Sequence, residues 1–168
     1  ALYDRDGRNV FYDENDPLKL SADARYFMGG LLAHTRGMSA ITNPLINSYK
    51  RLVPGYEAPV YESWSTRNRS SLIRVPDARG KHTQVELRSP DPAANPYLAL
   101  TVCLAAGLDG IRNHTVPPEP VEQEPGAMSE AERQRLGITA LPTTMGEAIA
   151  ALEEDVFIRR VLGDDFIR

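Results

Sequence analysis

The chain has 168 residues, of which 42% are hydrophobic and 25% are charged, with a formal net charge of −4. This composition predicts a folded domain with an apolar core and excludes a wholly disordered chain. The longest nearly apolar stretch, residues 96–108, falls short of the roughly 20 residues that cross a bilayer, and the single cysteine, Cys103, excludes an intramolecular disulfide, so we expect a cytoplasmic protein that does not enter a membrane.

The first half of the chain predicts two helices. Ser21 is a good N-cap, and apolar residues recur after it at helical spacing. Gly29 and Gly30 lie within this first helix, where each glycine costs about 1 kcal/mol relative to alanine. They predict either close packing of another element or a bend. Asn43 followed by proline predicts the start of a second, short helix.

The middle of the chain predicts strands. Three extended segments span residues 60–65, 71–75 and 83–89. In the third, Val85 and Leu87 face one way while the polar residues between and around them face the other, because side chains alternate along a strand. Strands grouped between helices predict an α+β fold with a mostly antiparallel sheet and flanking helices.

Three further helix starts are predicted in the second half. Asn95 caps a helix that is apolar nearly all round, which predicts that this helix is buried. Ser129 with Glu132, and Thr144 with Glu147, both have the capping-box spacing. The end of the chain is therefore expected to be helical.

Charge is unevenly distributed along the chain. Residues 43–98 carry eight Lys/Arg and five Asp/Glu, so the remainder is strongly acidic. A basic segment in an acidic chain indicates a small anionic ligand such as a phosphate or carboxylate. It argues against nucleic acid, which usually binds a broadly basic domain. A solvated, salt-bridged surface explains the same counts equally well.

The polar face of the third strand carries the first candidate site residues. Glu86 and Arg88 leave this face together and, taken alone, are best explained as a plain ion pair. Four more basic residues lie on the neighbouring strand or in the adjoining loops: Arg67, Arg69, Arg74 and Lys81. Such a cluster suits a multivalent anion, because the arginine fork binds oxygens in pairs. Glu86 is then a candidate ligand for Mg²⁺, which takes carboxylate and phosphate oxygens.

Glu57 lies in a loop with prolines on both sides, at residues 53–59. A glutamate on a stiff loop can serve as part of a lid and as a general base. The alternative is an ordinary exposed glutamate, which the residues alone favour. The sequence contains no glycine loop of the P-loop or dinucleotide type, so a nucleotide would be held by other means.

Three runs of residues together resemble the signatures of bacterial type I glutamine synthetase. They are NPLINSYKRLVPGYEAP at residues 43–59, NRSSLIRVP at residues 68–76 and VELRSPDPAANPYLAL at residues 85–100. The resemblance extends over nearly the whole chain. It implies the glutamine synthetase catalytic fold and the ligation of glutamate and ammonia to glutamine, with ATP as co-substrate, through a γ-glutamyl phosphate intermediate.

The resemblance also implies substrate-binding roles. Arg51 and Arg88 resemble the arginines that bind the substrate glutamate. Arg69 resembles an arginine that touches both ATP and glutamate during phosphoryl transfer, and is therefore also a catalytic residue. Glu57 resembles the flap glutamate that closes the site and takes a proton from the attacking ammonium group.

The remaining implied roles concern ATP and metal. Arg74 and Lys81 resemble ATP ligands, although the loop before Lys81 varies in length across the family. Glu86 resembles a ligand of the divalent cation, Mg²⁺ or Mn²⁺. The other metal ligands of the family precede the residue that corresponds to Ala1, so the set of ligands in this chain is incomplete.

We expect residues 1–168 to be one partial catalytic domain of a longer protein. The chain begins without methionine and ends within apolar residues at helical spacing. The family resemblance implies a homo-oligomer, a dodecamer of two hexameric rings, in the parent. This piece alone is expected to be inactive and to self-associate through bare apolar surfaces.

Two other readings remain open from the sequence. A γ-glutamyl-amine ligase would join glutamate to a bulkier amine, and its relatives tend to lose the flap glutamate that Glu57 resembles. A catalytically silent relative with a structural or regulatory role would be expected to lose site arginines or the metal glutamate. The segment that precedes this chain in the parent would discriminate between them.

Overall fold

The computed structural model describes residues 1–54 and 58–167. Within these residues, α-helices pack around a small sheet, which confirms the α+β class and the flanking helices. The helices are α1 (Ala22–Thr42), α2 (Ser48–Arg51), α3 (Pro96–Asn113), α4 (Glu130–Arg135), α5 (Met145–Glu154), α6 (Val156–Leu162) and α7 (Asp164–Ile167). The strands are β1 (Trp64–Ser65), β2 (Ile73–Arg74) and β3 (Glu86–Leu87), and short 3₁₀ turns occupy Gly80–His82 and Pro125–Ala127. In the part of the chain that the structure describes, no helix combines the length and the apolar character needed to span a bilayer.

Four of the predicted helix starts are confirmed by hydrogen bonds from their caps. The Ser21 hydroxyl accepts from the Ala24 N–H at 3.0 Å, and the Asn95 side chain accepts from the Tyr97 N–H at 3.0 Å. Ser129 forms the complete capping box, and Thr144 caps α5. Each cap satisfies a backbone donor that the first helical turn leaves unpaired, and so fixes where the helix begins.

The helix predicted to begin after Asn43 does not begin there. Asn43 instead closes α1: its backbone N–H donates to the Ser39 carbonyl at 2.8 Å. Its side chain is buried against Thr42 and Arg51. Helix α2 starts only at Ser48. The prediction was wrong because the groups that hold Asn43 lie in the preceding helix and at Arg51, beyond the local pattern.

The sheet is mixed, which corrects the expectation of a mostly antiparallel one. β1 pairs parallel with β2, with Ser65 opposite Arg74, and β2 pairs antiparallel with β3, with Arg74 opposite Glu86. The strands are also shorter than predicted, because the flanking segments bond elsewhere. The N–H of residue Glu62, for example, donates to the Thr139 carbonyl at 2.8 Å.

One side of the sheet enters the core and the other carries polar side chains. Ile73 is fully buried and its register partner Leu87 packs against the same apolar cluster. Arg74 and its partner Glu86, one residue away on each strand, face the opposite side. The predicted alternation along the third segment is thus confirmed. The candidate site therefore lies on the face of the sheet opposite the core.

Glycines bring α1 and α3 into backbone contact. A Cβ atom at Gly30 would lie 2.1 Å from the Ala106 carbonyl oxygen and 2.7 Å from the Gly110 nitrogen. A Cβ at Gly110 would meet the Tyr26 carbonyl oxygen at 2.1 Å. The glycine pair in the first helix therefore reflects close packing, the first of the two explanations predicted, because no larger residue fits between these backbones.

Helix α3 is less buried than its apolar sequence predicted. Val102, Ala106, Gly107 and Gly110 are buried, whereas Tyr97, Leu100 and Leu104 are exposed. The main helical contacts of α3, with α1 and α6, cover one side of it. The apolar residues on its other side therefore remain at the surface of the described chain.

We expect Gly30→Ala to destabilise the protein by about 1–3 kcal/mol or more, because the new methyl group meets backbone atoms that cannot rotate away. Gly146→Ala is the matched control: its Cβ would have only the Thr144 hydroxyl within reach, at 4.0 Å. Alanine is also the better helix former, so this control should be neutral or stabilising. Thermal unfolding of both variants checks the difference. Equal midpoints would mean that α1 and α3 are not in backbone contact.

His34 joins three segments of the helical scaffold. Its Nδ1 lies 2.8 Å from Oδ2 of Asp155, which caps α6, and its Nε2 lies 3.3 Å from Oδ2 of Asp109 on α3. The ring also stacks on Phe157 at 4.7 Å between centroids. Burial opposes the charged imidazolium, but the two carboxylates together outweigh burial and raise the pKa of His34.

This arrangement makes part of the stability depend on pH. Since the pKa of His34 is raised on folding, its contribution is fully present below the unfolded value of about 6.5 and is lost as pH rises through the folded value. We therefore expect the thermal midpoint to decrease as the pH rises above about 6.5, and His34→Asn to flatten this dependence. The control is His82→Asn, which makes the same substitution at an exposed histidine in a 3₁₀ turn, outside the cluster of His34 with Asp109 and Asp155. An unaltered slope in His34→Asn would show that this cluster does not titrate.

Candidate functional site

The centre of the candidate site is a carboxylate between two arginines on the polar side of the sheet. Arg74 donates from Nε and Nη2 to Oε2 of Glu86, at 3.0 and 2.7 Å. Arg88 approaches the other oxygen, with its Nε 3.4 Å from Oε1. All three side chains are partly exposed. One carboxylate shared by two guanidinium groups leaves this face with excess positive charge.

Arg51 reaches the same region from α2. Its Nη2 donates to the Ser89 carbonyl at 2.6 Å and to the Asn43 side-chain oxygen at 3.4 Å. Its buried Nε has no hydrogen-bond partner within the described residues. Because Ser89 directly follows Arg88, this bond brings Arg51 to the end of β3. The Arg51 guanidinium therefore bonds to the backbone next to Arg88, the other arginine predicted to bind glutamate.

Arg69 lies in the loop between β1 and β2, which also carries Arg67, and both residues are exposed. The loop is ordered by side-chain bonds to its own backbone. The Asn68 side-chain oxygen accepts from the Ser70 N–H at 2.8 Å, forming a turn around Arg69. Arg69 is therefore presented to solvent from a fixed backbone at the edge of the sheet.

Lys81 lies in the 3₁₀ turn on the connection between β2 and β3. Its carbonyl accepts hydrogen bonds from the Tyr3 hydroxyl at 2.8 Å and from the Asn9 side chain at 3.3 Å. The N-terminal segment therefore fixes the backbone of this turn. The residue itself is exposed. Glu57, the predicted flap glutamate, lies outside the described residues.

Glu122 also belongs to this region, although no sequence pattern selects it. Its carboxylate accepts hydrogen bonds from the Ser65 hydroxyl at 2.8 Å and from the Thr66 N–H at 3.2 Å. Glu122 is exposed, and its slight desolvation opposes ionisation, but these hydrogen bonds together outweigh it and lower the pKa of Glu122. The only sequence signal is the cluster of donors in residues 65–68, which needs an acceptor that local spacing cannot identify.

The described residues supply part of a metal site at most. Among residues 1–54 and 58–167, no three His, Cys, Asp or Glu side chains converge as a metal-binding group. Glu86 has the oxygen chemistry that Mg²⁺ or Mn²⁺ prefers, and Mg²⁺ is often held by one or two carboxylates with phosphate oxygens. Glu86 therefore fits the role of one ligand among several.

The whole chain, residues 1–168, matches the family model of the glutamine synthetase catalytic domain. It is 55% identical over 160 residues to a glutamine synthetase of Methanosarcina mazei, 56% over 160 residues to one of Thermotoga maritima, and 52% over 164 residues to one of Halobacterium salinarum. These alignments cover 95%, 95% and 98% of this chain and 36% of each relative.

A solved structure of a GmaS/ADP complex has the same fold, with a TM-score of 0.79 and 37% sequence identity. The alignment covers 92% of this chain and 35% of that one. The fold, the family model and relatives more than 50% identical over nearly the entire chain agree with one another. The chain therefore belongs to the glutamine synthetase family, and it spans about a third of the length of the relatives that it matches.

Proposed function

We propose that this chain is the C-terminal part of the catalytic domain of a type I glutamine synthetase of the relatives' full length. That full-length protein joins glutamate and ammonia to form glutamine, with ATP as co-substrate and γ-glutamyl phosphate as intermediate. The observation that carries the proposal is Glu86 held between Arg74 and Arg88 on a face with excess positive charge. Such a face suits a reaction that gathers phosphate groups and substrate carboxylates around a divalent cation.

The glutamate end of the site is assigned to Arg51 and Arg88. Both are partly buried, and the Arg51 guanidinium donates to the carbonyl of Ser89, the residue that follows Arg88. Guanidinium groups bind carboxylates through paired, charge-assisted hydrogen bonds, and partial burial strengthens these bonds. The two arginines would hold the carboxylates of glutamate so that its side-chain carboxylate approaches the phosphate donor.

The nucleotide end is assigned to Arg74 and Lys81, with Arg69 reaching both substrates. Phosphoryl transfer is accelerated mainly by positioning and by cations around the transferred group, which these three side chains supply. Glu86 is assigned as one ligand of Mg²⁺ or Mn²⁺, together with residues outside this chain and nucleotide oxygens. When bound, the cation neutralises charge on the phosphates.

Glu57 is assigned as the group that closes the site and accepts the proton of the attacking ammonium nitrogen. A carboxylate is suited to both tasks, because it attracts a cation and then takes its proton. In the proposed full-length protein, subunits assemble into a dodecamer of two hexameric rings, in which a neighbouring subunit completes each site. The chain by itself is expected to lack activity.

The test is ammonia-dependent glutamine formation by the purified full-length protein with glutamate, ATP and Mg²⁺. With ammonium as the amine substrate, we expect glutamine and ADP to form in equal amounts. When methylamine replaces ammonium, we expect little amide product. Preference for methylamine would instead identify a γ-glutamyl-amine ligase. Absence of any ATP-dependent amide, in a preparation that binds ATP and assembles normally, would identify a catalytically silent relative.

A further inference from the structure

The loop of residues 66–70 holds Arg69 through a chain of hydrogen bonds that begins at Ser65. The fully buried hydroxyl of Ser65 accepts from the Arg67 N–H at 3.0 Å and from the Asn68 N–H at 2.8 Å. Asn68 then accepts from both the N–H and the hydroxyl of Ser70, at 2.8 and 2.7 Å. Both neighbours of Arg69 in the sequence are thus fixed.

A second segment, residues 121–123, clamps this loop from outside. Glu122 accepts from the Ser65 hydroxyl at its Oε2, and from the N–H and hydroxyl of Thr66 at its Oε1, at 2.8, 3.2 and 3.0 Å. The Gln123 carbonyl accepts from the Asn68 side-chain N–H at 2.7 Å. The clamp itself is anchored to the sheet, since the Val121 N–H donates to the Trp64 carbonyl at 2.8 Å.

The polarity of these bonds requires a carboxylate at position 122. A serine hydroxyl has one proton and two lone pairs, and both lone pairs of Ser65 are used by the loop N–H groups. Its proton must therefore go to an acceptor. Thr66 presents two more donors to the other oxygen of Glu122. A glutamine has one acceptor oxygen and one NH₂ group. Its NH₂ group would therefore face either the Ser65 hydroxyl proton or the Thr66 N–H, which are both donors.

We propose that Glu122 is the positioning residue for Arg69: it fixes the hydrogen-bond direction at Ser65 and thereby the backbone from which Arg69 reaches the substrates. This inference rests on the proposed function for the role of Arg69. The ordering of the loop by Glu122 does not depend on the proposed function. Glu122 is therefore expected to act on the chemical step through Arg69 and to make no contact with substrate.

The ordering of the loop is tested by limited trypsin digestion of the full-length protein without substrates. Trypsin cleaves after Arg67 and Arg69, which are exposed but fixed. We expect Glu122→Gln to speed cleavage at these two bonds about tenfold, because cleavage follows the population of the opened loop. Glu119→Gln makes the same change of charge at an exposed position three residues earlier and should leave the rate unchanged. Equal rates in both variants would overturn the proposal.

The action through Arg69 is tested by a double-mutant cycle. Glu122→Gln is expected to lower kcat for glutamine formation about 10- to 100-fold, with smaller changes in KM, since misplacing a catalytic group by about 1 Å costs rate at the chemical step. Glu122→Asp keeps both acceptor oxygens and should recover part of this loss. In an Arg69→Ala background, Glu122→Gln should have little further effect. Full additivity of the two substitutions would refute positioning through Arg69.

The two proposals fail in different ways. If the wild-type full-length protein forms no glutamine, the proposed function fails, while the trypsin comparison still decides whether Glu122 orders the loop. If wild type is active and Glu122→Gln has normal kcat and a normal cleavage rate, the positioning proposal fails and the function stands.

Discussion

Replacing Glu86 by glutamine is expected to reduce glutamine formation by the full-length protein about 100-fold or more. A divalent cation held by Glu86, as proposed, would supply several kcal/mol of charge stabilisation, and each 1.4 kcal/mol corresponds to about a factor of ten in rate. The neutral amide attracts the cation far less than the carboxylate does. The substitution also removes the anion that pairs with Arg74 at 2.7 Å and with Arg88 at 3.4 Å.

These two causes are separated by varying the metal concentration. If loss of a metal ligand dominates, raising Mg²⁺ or Mn²⁺ should restore part of the activity, and the metal midpoint should shift upward. If loss of the arginine partner dominates, no metal concentration restores it. Glu86→Asp, which keeps the charge on a shorter side chain, should retain more activity than Glu86→Gln. Glu154→Gln on the exposed side of α5 controls for the change in net charge. Activity of Glu86→Gln within threefold of wild type would exclude both roles.

Glu57→Ala is expected to lower ammonia-dependent turnover by about 10²–10⁴, the usual range for a general base. The proton of the charged adduct must leave before the tetrahedral species collapses to the amide, and the assigned acceptor is lost. Affinities for ATP and metal depend on other residues, so they should stay near the wild-type values. Water should also reach the intermediate more easily, so more ATP should be hydrolysed per glutamine formed.

The decisive measurement compares nucleotide affinity, glutamine formation and phosphate release on the same Glu57→Ala preparation. Glu57→Gln keeps the size of the side chain without the basic oxygen, and should lose turnover but retain better coupling of ATP hydrolysis to product. Glu119→Ala, in an exposed connector, serves as the control for removing a surface glutamate. Near-normal glutamine formation by Glu57→Ala would make this residue an ordinary loop glutamate.

The features that the sequence predicted correctly are those determined by residues close together in the chain. The caps at Ser21, Asn95, Ser129 and Thr144 were predictable because a cap and its N–H partner lie two or three residues apart. The alternation that sets Glu86 and Arg88 on one face follows from strand geometry in the same way. The family resemblance added the roles proposed for these residues, which spacing alone left as an ion pair.

What the sequence missed depends on distant groups. The parallel pairing of β1 with β2 needs the 66–70 loop to fold back, and this loop is fixed by a carboxylate at position 122. Glu122 lies 57 residues from Ser65, so no local pattern links them. The helix start predicted at Asn43 was wrong for the same reason. The Asn43 side chain accepts a hydrogen bond from Arg51, a contact that the cap-like pattern at Asn43 does not reveal. Residues that serve a site from outside the motif are therefore visible only in three dimensions.

The two-sided strands limit where residues can be inserted or deleted. Ile73 and Leu87 enter the core, and Arg74 and Glu86, one position along each strand, lie on the side of the candidate site. A single inserted residue within either strand would turn its side chains over, placing an arginine in the core and an isoleucine in the site. The connection at residues 77–82 carries exposed residues, so an inserted residue there would keep the alternation of both strands, although it would shift the turn whose backbone Tyr3 and Asn9 hold. We therefore expect an inserted residue to destabilise the protein less in that connection than within either strand.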